Sequence, residues 1–279
     1  MAKIYLKVYS MGMSQTLLEN IEAVPTLPGS VQAVEAVYQD VDSTLQDMVD
    51  AVEKDPLLVA EILREVNSPL YGLSRTITVV GQAISLFGKE AIRTFVLNSV
   101  INSSFRVDLS PYNMSQDEFA TACKKQAYLA LQWLRKKQNI LSIVAPAALL
   151  VDLGRVVIAK TLIEDAKTDV IAKALEAGEN IADAEKLACG AQTTDVTATI
   201  FHKWNFNSDM VHVIRYSDDP EGTVGEDKEM AAYLKAIRET VLPNGNITEE
   251  SIATAKETIE EFELDLDRYE MALEKVLAS

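Results

Sequence analysis

Apolar residues recur at a helical period along almost the whole of this 279-residue chain, and no long run alternates strictly between apolar and polar side chains. A half-buried strand needs that alternation because its successive side chains point to opposite faces of the sheet, whereas a helix buries positions three and four residues apart. The sequence therefore predicts an all-α fold. One stretch leaves a choice, because IYLKVY (residues 4–9) in an expected leader of residues 1–13 fits a short strand or a disordered segment equally well.

Signals for the starts and ends of helices are frequent. A side-chain oxygen just before a helix can accept a hydrogen bond from a free N–H of the first turn, and glycine ends a helix at little cost in the left-handed conformation. Ser115, followed three residues later by Glu118, predicts a long helix that runs to about Gln138. The other predicted starts are at Ser43, Asp55, Asn180, Ser208 and Thr248, and the predicted stops are at Gly88 and Gly178.

Charge and composition limit the kinds of partner and site. The chain has 42 Asp and Glu residues against 26 Lys and Arg, which gives a net charge of −16. DNA repels such an acidic surface, so we expect no nucleic-acid partner. Two histidines exclude a site of three or four imidazoles within one chain, and two cysteines exclude a disulfide framework.

Neither a membrane segment nor a targeting segment is expected. The most apolar stretch, residues 143–159, contains Pro146, Asp152 and Arg155 and is too short and too charged to cross a bilayer. The N-terminal residues lack the apolar core and the small-residue cleavage site of a signal peptide. We therefore expect a cytoplasmic protein with no membrane partner.

The last 63 residues differ in composition from the rest. Residues 217–279 contain 17 acidic and 6 basic residues, so about −11 of the net charge lies there. SDDPEGTVGED (residues 217–227) reads as a turn-rich linker, and LPNGN (residues 242–246) as a second break. Two interpretations stay open: a solvated pair of helices packed on the main body, or an acidic arm that binds a partner.

The most specific pattern lies in residues 53–104, EKDPLLVAEILREVNSPLYGLSRTITVVGQAISLFGKEAIRTFVLNSVINSS. It predicts a helix, a sharp break, a short helix that stops at Gly88, and a longer helix with one apolar face. The break falls at Asn67-Ser68-Pro69, because proline disfavours helical geometry in the residue before it. From the residues alone, this is a compact helical core module without a catalytic group.

The order of these motifs resembles the HDOD family, the HD-related output domains of bacterial signalling proteins. The resemblance rests on DP (residues 55–56), VNSPLYG (66–72), the AI-x-LFG turn (83–88) and TLPGSVQAV (26–34). It covers roughly residues 17–217 and implies an HD-like helical bundle that is usually without demonstrated catalysis and acts as a regulatory or protein-interaction module.

The resemblance also implies a domain organisation. We expect residues 14–217 to form the HDOD-like domain, with an N-terminal helical subdomain (14–110) packed on a degenerate HD-like bundle (111–217). Residues 218–279 would form an acidic helical C-terminal extension.

HD chemistry needs a cage of imidazoles and carboxylates around one or two cations. The resemblance places the ligand positions at Ala122–Cys123, Val151–Asp152, Gln192 and Tyr216–Ser217, and no imidazole is present at any of them. We therefore predict no catalytic, metal-binding or cofactor-binding residue and no cofactor.

Asp152 allows two interpretations. In an apolar run its carboxylate must find a partner, which could be backbone amides, Arg155 or Arg93. Alternatively, Asp152, Gln192 and Tyr216 line a vestigial pocket that holds a small ligand.

The two histidines do not replace the cage. On one continuous helix, His202 and His212 would lie about 80° apart around the axis and about 15 Å apart along it, which is no ligand pair. We expect His202 to be an ordinary surface or capping residue and His212 to have no functional role.

A helix-turn-helix interpretation of residues 82–95 is disfavoured. It would place Lys89 and Arg93 at the start of a recognition helix, but Ile92, Phe95 and Val96 are expected to use that helix for core packing.

The expected function is a non-catalytic regulatory module of bacterial signal transduction that binds an unidentified protein partner, with the oligomeric state left open. The alternative is a metal-dependent phosphohydrolase whose site is rebuilt from Asp152, Glu185 and Asp195, since Mg²⁺ and Mn²⁺ accept all-oxygen ligands.

Overall fold

The computed structural model describes residues 12–104 and 108–278, and within these ranges it contains α-helices, short 3₁₀-helices and no strand. The all-α prediction is confirmed. Most of the predicted leader (residues 1–13), including the choice between strand and disorder for residues 4–9, lies outside the described residues.

The helices follow one another with short connections. Three 3₁₀-helices lie at Pro69–Tyr71, Ser110–Tyr112 and Pro220–Gly222. The α-helices are α1 (Gln15–Ala23), α2 (Gly29–Gln39), α3 (Leu45–Glu53), α4 (Pro56–Val66), α5 (Val80–Ser104), α6 (Gln116–Trp133), α7 (Gln138–Leu150), α8 (Leu153–Glu164), α9 (Asp169–Ala177), α10 (Ile181–Cys189), α11 (Thr193–Lys203), α12 (Ser208–Arg215), α13 (Glu226–Thr240), α14 (Glu249–Glu261) and α15 (Leu266–Leu277).

A single hydrophobic core connects the N-terminal, central and C-terminal helices. Helices α2 to α5 pack on one another, and α5 joins them to the rest by packing against α7. Helix α1 packs against α8 instead, where the Asn20 amide donates hydrogen bonds to Thr161 (3.1 Å) and Glu164 (2.7 Å). The first helix is therefore part of the bundle formed by the second half of the chain.

The VNSPLYG motif has a structural role. The side chain of Asn67 donates to the carbonyls of Leu63 (2.7 Å) and Ile77 (2.8 Å) and accepts from the N–H of Ile77 (2.7 Å), which fastens the loop between α4 and α5. The ring of Tyr71 packs edge-on against Phe87 and Tyr128. The motif thus closes a loop over the core.

Gly88 interrupts α5 as predicted. Its φ of +83° lies in the region that glycine adopts without a steric penalty, so the chain changes direction there within one run of helical hydrogen bonds. Residues 80–87 and 89–104 are two helical segments joined at this glycine.

Helices α7 and α8 form the centre of the molecule. Residues 138–164 are long and apolar enough to cross a membrane by length and composition, with a mean hydropathy of 2.0, but 94% of the most apolar window is buried inside the protein. The turn at Val151 and Asp152 divides the stretch into two helices. A buried core helix can have the same length and hydropathy as a membrane-spanning helix.

The C-terminal helices are built into the fold. Trp133 of α6 packs edge-on against Tyr233 of α13 (4.8 Å between ring centroids) and Tyr269 of α15 (5.1 Å), and its indole N–H donates to the carbonyl of Asp265 (2.9 Å). Aromatic pairs of this kind contribute about 0.5–1.5 kcal/mol each beyond the area they bury. The structure therefore corresponds to the packed-helix interpretation of the acidic segment.

Most helix starts are where the sequence places them, and the differences are small. The caps at Asp55, Ser115, Asn180 and Thr248 and the stop at Gly178 are confirmed. Thr44 caps α3 and Asn207 caps α12, each one residue from the predicted Ser43 and Ser208. Helix α6 ends at Trp133 instead of about Gln138, and Gln138 begins the next helix.

Helices α8 and α11 approach each other closely at Gly154. Its N–H donates to the hydroxyl of Thr197 (2.7 Å), and a Cβ added to Gly154 would lie 2.2 Å from the carbonyl oxygen of Thr193. Since the obstructing atom belongs to the backbone of a buried helix, no side-chain rotation can relieve the overlap.

We expect Gly154→Ala to lower the free energy of unfolding by at least about 3 kcal/mol, because the two helices must separate to admit the methyl group. The matched control is Gly29→Ala, since a Cβ at Gly29 meets no atom within 4 Å. That change should leave stability unchanged or raise it by up to about 1 kcal/mol. Urea unfolding followed by circular dichroism measures both, and equal effects would contradict the close approach.

Candidate functional site

Asp152 lies at the turn between α7 and α8, with only 3% of the residue exposed. One carboxylate oxygen, Oδ1, accepts from the guanidinium groups of Arg155 (3.2 Å) and Arg238 (3.1 Å). The other, Oδ2, accepts from the amide of Gln126 (3.2 Å). One buried carboxylate therefore joins α6, α8 and α13.

The pKa of Asp152 reflects both its burial and these contacts. Burial by itself raises the pKa of the carboxyl, but the nearby charges of Arg238 and Arg155 and the hydrogen bonds from Gln126 and Arg238 hold it below its ordinary value of 3.8. Asp152 is consequently an anion at neutral pH although it is buried.

The network continues from α13 to the start of α11. Arg238 also pairs with Asp218, and Asp218 accepts a hydrogen bond from the hydroxyl of Thr194 (2.8 Å). The amide of Gln192 donates to the same hydroxyl (2.8 Å). Asp152 and Gln192, which the sequence analysis assigns to one pocket, thus belong to one hydrogen-bonded network.

Tyr216, the third residue of the predicted pocket, has a packing role. It follows α12, and its ring lies against the 220–222 turn so closely that a Cβ on Gly222 would be 2.9 Å from a ring carbon. Of the three predicted pocket residues, two share the network and the third supports a neighbouring turn.

The sequence offers Arg155 and Arg93 as partners of Asp152. Of these two, Arg155 pairs with Asp152 and Arg93 does not. Arg93 donates two hydrogen bonds to Glu35 (2.7 and 2.8 Å) and one to the carbonyl of Ser142 (2.9 Å). Since Arg93 is 2% exposed, its guanidinium is also not placed to read bases from α5.

Glu185 forms a second buried carboxylate centre beside the first. It accepts hydrogen bonds from the hydroxyl of Tyr112 (2.8 Å) and from the N–H (2.6 Å) and hydroxyl (2.7 Å) of Thr193. Burial raises the pKa of Glu185, and the charge of Arg155 together with these hydrogen bonds opposes the shift only in part. The guanidinium of Arg155 lies over the ring of Tyr112, with its central carbon 5.1 Å from the ring centroid.

The third carboxylate of the alternative metal site, Asp195, is engaged elsewhere. It pairs with Arg215 at 3.0 Å, and burial raises its pKa against the effect of that charge. Throughout residues 12–104 and 108–278, no three His, Cys, Asp or Glu side chains converge in a way that could hold a metal ion.

The residues present do not fit the cation cage that the resemblance implies. At its four ligand positions only Asp152 supplies an anionic ligand, and two guanidinium groups already share it. A divalent cation next to Asp152 would face both positive charges, so the chemistry of the site opposes it.

Each of the two histidines lies near another charged side chain. The imidazole of His212 lies 3.4 Å from Asp227, at the start of α13. Burial and the charge of Arg215 lower the pKa of His202 below its ordinary value. His202 is half-buried, not fully at the surface.

A cleft of about 450 Å³ lies beside the Asp152 network, between α8, α10 and α13. Its walls include charged and polar side chains from all three helices and from the loops around them. They are Arg155, Asn180, Glu185, Thr193, Asp218, Lys235, Arg238 and Glu239.

Sequence reasoning missed Arg238, the residue that organises the site. Arg238 lies outside the resemblance, in a segment whose charge is strongly negative. The sequence contains one indication of its role: residues 230–237, MAAYLKAI, are nearly all apolar, which indicates a buried helix and not an exposed arm. A basic residue one position beyond a buried run would have been a candidate partner for a buried acid.

We expect Arg238→Gln to lower the free energy of unfolding by about 3 kcal/mol, because it removes a cation from Asp152 and from Asp218. The loss is at the low end for a broken buried pair, since Asp152 keeps Arg155. The matched control Arg135→Gln changes an exposed arginine and should alter stability by less than about 0.5 kcal/mol. Chemical denaturation measures the free energy of unfolding of both variants. A loss below about 1 kcal/mol for Arg238→Gln would contradict the role of Arg238 as a buried partner of Asp152 and Asp218.

The lowered pKa of Asp152 predicts an acid-dependent loss of stability. Its carboxylate contributes stability that is fully present above the ordinary pKa of 3.8 and is lost as the pH falls through the lower folded-state pKa. We expect urea unfolding between about pH 6 and pH 2.5 to show a smaller acid-induced decline for Asp152→Asn, which starts from a lower stability at pH 6. Parallel curves for the two proteins would contradict the assignment.

Comparison with solved structures shows the same fold in several bacterial proteins. A protein of Shewanella amazonensis SB2B that carries a provisional phosphohydrolase name superposes with a TM-score of 0.72 at 20% identity, over 94% of each chain. An HDOD domain protein of Geobacter sulfurreducens superposes with a TM-score of 0.69 at 19% identity, over 98% of this chain and 92% of that one. At these identities the likeness shows the fold alone.

Sequence comparison extends the likeness to a curated relative and to a family. A protein of Treponema pallidum (strain Nichols), described as uncharacterized, is 21% identical over 223 residues, and the match spans 76% of this chain but only 41% of the relative. The HDOD domain matches residues 24–220, which is more than two thirds of the chain. Together with the all-helical architecture, this match shows that the chain belongs to the HDOD domain family.

Proposed function

We propose that this protein is a non-catalytic regulatory module of bacterial signal transduction that acts by binding a protein partner in the cytoplasm. One observation carries the non-catalytic part: Arg155 and Arg238 share the carboxylate of Asp152 at the position where the HD superfamily would hold a cation. A hydrolytic site of that superfamily needs a cation that polarises a phosphate and activates water. Guanidinium groups supply positive charge but cannot generate a nucleophile.

The alternative, a phosphohydrolase with a rebuilt carboxylate site, receives less support. Its three proposed ligands have separate partners, with Asp152 on two arginines, Glu185 on Tyr112 and Thr193, and Asp195 on Arg215. Recruiting all three to one cation would break these contacts.

The regulatory part of the proposal is supported by the family and by the surface charge. A Marinobacter aquaeolei VT8 protein with a provisional signal-transduction name has the same fold, with a TM-score of 0.68 at 18% identity. Helices α14 and α15 and the turn between them expose a group of acidic side chains, Glu249, Glu250, Glu257, Glu260, Glu261, Glu263, Asp267 and Glu270. Such a surface accelerates association with a basic partner.

Metal content tests the non-catalytic part. We expect protein that is purified without a metal-binding tag and then incubated with Mn²⁺ or Fe²⁺ to carry less than about a tenth of an equivalent of metal per chain, as measured by mass spectrometry. The reason is that the residues at the implied site do not form a cage that would retain the ion. It should also hydrolyse p-nitrophenyl phosphate no faster than Asp152→Ala does. A stoichiometric metal, together with a hydrolysis rate that Asp152→Ala abolishes, would favour the phosphohydrolase instead.

Partner binding has its own test. The purified chain, mixed with cell extract, should elute from gel filtration in a larger complex that weakens as salt increases, because charge steers the association. Replacing Glu257, Glu260, Glu261 and Glu263 by Gln should weaken the complex, whereas Glu176→Gln, at an exposed position on α9, should not. Elution as a lone monomer under all conditions would contradict the proposal.

A further inference from the structure

The cleft beside Asp152 holds buried hydrogen-bond donors that nothing in the described chain satisfies. The side chain of Arg155 is 4% exposed, and among its nitrogens only Nη2 donates a hydrogen bond to a described residue, Asp152. Its Nε and Nη1 have no hydrogen-bond partner among the described residues, and neither does the Nε of Arg238. Both arginines line the cleft.

Such donors are costly to leave unsatisfied. A buried polar group without a partner forfeits the hydrogen bonds that it made in water, and arginine cannot escape the cost by losing a proton. Buried donors in native proteins are therefore nearly always paired, and the exceptions require an explanation. An acceptor that comes from outside the chain would provide one.

The charges around the donors indicate the chemistry of that acceptor. Three cationic side chains, Arg155, Lys235 and Arg238, reach the cleft from two helices. The carboxylates of Asp152 and Asp218 are already turned toward Arg238. Oxygens with negative charge form the strongest hydrogen bonds to guanidinium, so a carboxylate or phosphate group fits the free N–H groups of Arg155 best.

The size of the cleft and its acidic residues further limit the class of ligand that it can bind. A volume of about 450 Å³ falls within the range of pockets for small organic molecules and exceeds what a bare inorganic ion fills. Glu185 and Glu239 also line the cleft. They would repel a ligand with many negative charges, and therefore a single charged group on a small molecule is favoured.

We propose that this cleft binds a small organic anion whose carboxylate or phosphate oxygens accept hydrogen bonds from Arg155 and Arg238, with Lys235 at the entrance. The inference goes beyond the proposed function, because it assigns a small-molecule site to a module proposed to act by protein contact. Such a ligand would bridge α8, inside the part of the chain that matches the family, and α13, outside it.

The test uses the metal-free full chain and two separate probes, inorganic phosphate and acetate, at constant ionic strength set with NaCl. Nuclear magnetic resonance of the arginine Nε–H groups follows binding directly, with signals assigned through bonds in isotope-labelled protein. We expect one or both probes to shift the Arg155 and Arg238 signals saturably, while chloride alone does not. A response to phosphate only identifies a phosphate group, and a response to acetate only identifies a carboxylate.

The variant that tests the proposal leaves Arg155 in place, because replacing it would remove one of the two cations that pair with the buried Asp152. Lys235 lies at the cleft without an ion pair among the described residues, so Lys235→Gln should fold and weaken probe binding about 5-fold. The control Lys136→Gln, on another surface, should bind as the wild type does. Signals that fail to saturate with either probe, or an affinity unchanged by Lys235→Gln, would overturn the proposal, whatever the metal content shows.

Discussion

The packing at the centre of the structure depends on one buried negative charge, that of Asp152. A carboxylate on a side chain that is only 5% exposed needs charged partners and hydrogen bonds, since its desolvation otherwise costs several kcal/mol. Asp152 meets this need with Arg155 from its own helix, Gln126 from α6 and Arg238 from α13. Because each partner must lie within hydrogen-bond distance, the requirement of one side chain sets how three helices fit together.

The helical architecture was predictable because its determinants are local. Periodicity, proline positions and caps act within a few residues, so Asp55, Ser115, Asn180 and Thr248 mark helix starts correctly. The errors arise where tertiary packing decides. Adjacent residues such as Ser43 and Thr44 can both cap a helix, and tertiary packing decides between them. Similarly, α6 ends where Trp133 turns into the aromatic cluster with Tyr233 and Tyr269.

The site was predictable only in part, because its partners are distant in sequence. The motif position of Asp152 and the absence of imidazoles are visible in the residues, and Arg155 is one helical turn away. Arg238 is 86 residues from Asp152, and its role depends on how α13 packs. Periodicity describes which face of a helix is buried but not which helix meets it, so no spacing rule could select Arg238 over Arg93.

The position of Arg238 has a consequence for how the protein is made. A chain leaves the ribosome from its N-terminus, and domains generally fold in that order. The part of the chain that matches the family ends at residue 220, and Arg238, which pairs with Asp152, is synthesised 18 residues later. Tyr269, whose ring packs against Trp133, is synthesised later still. During synthesis, the central helices must therefore pass through an interval in which Asp152 has only Arg155 as its cation.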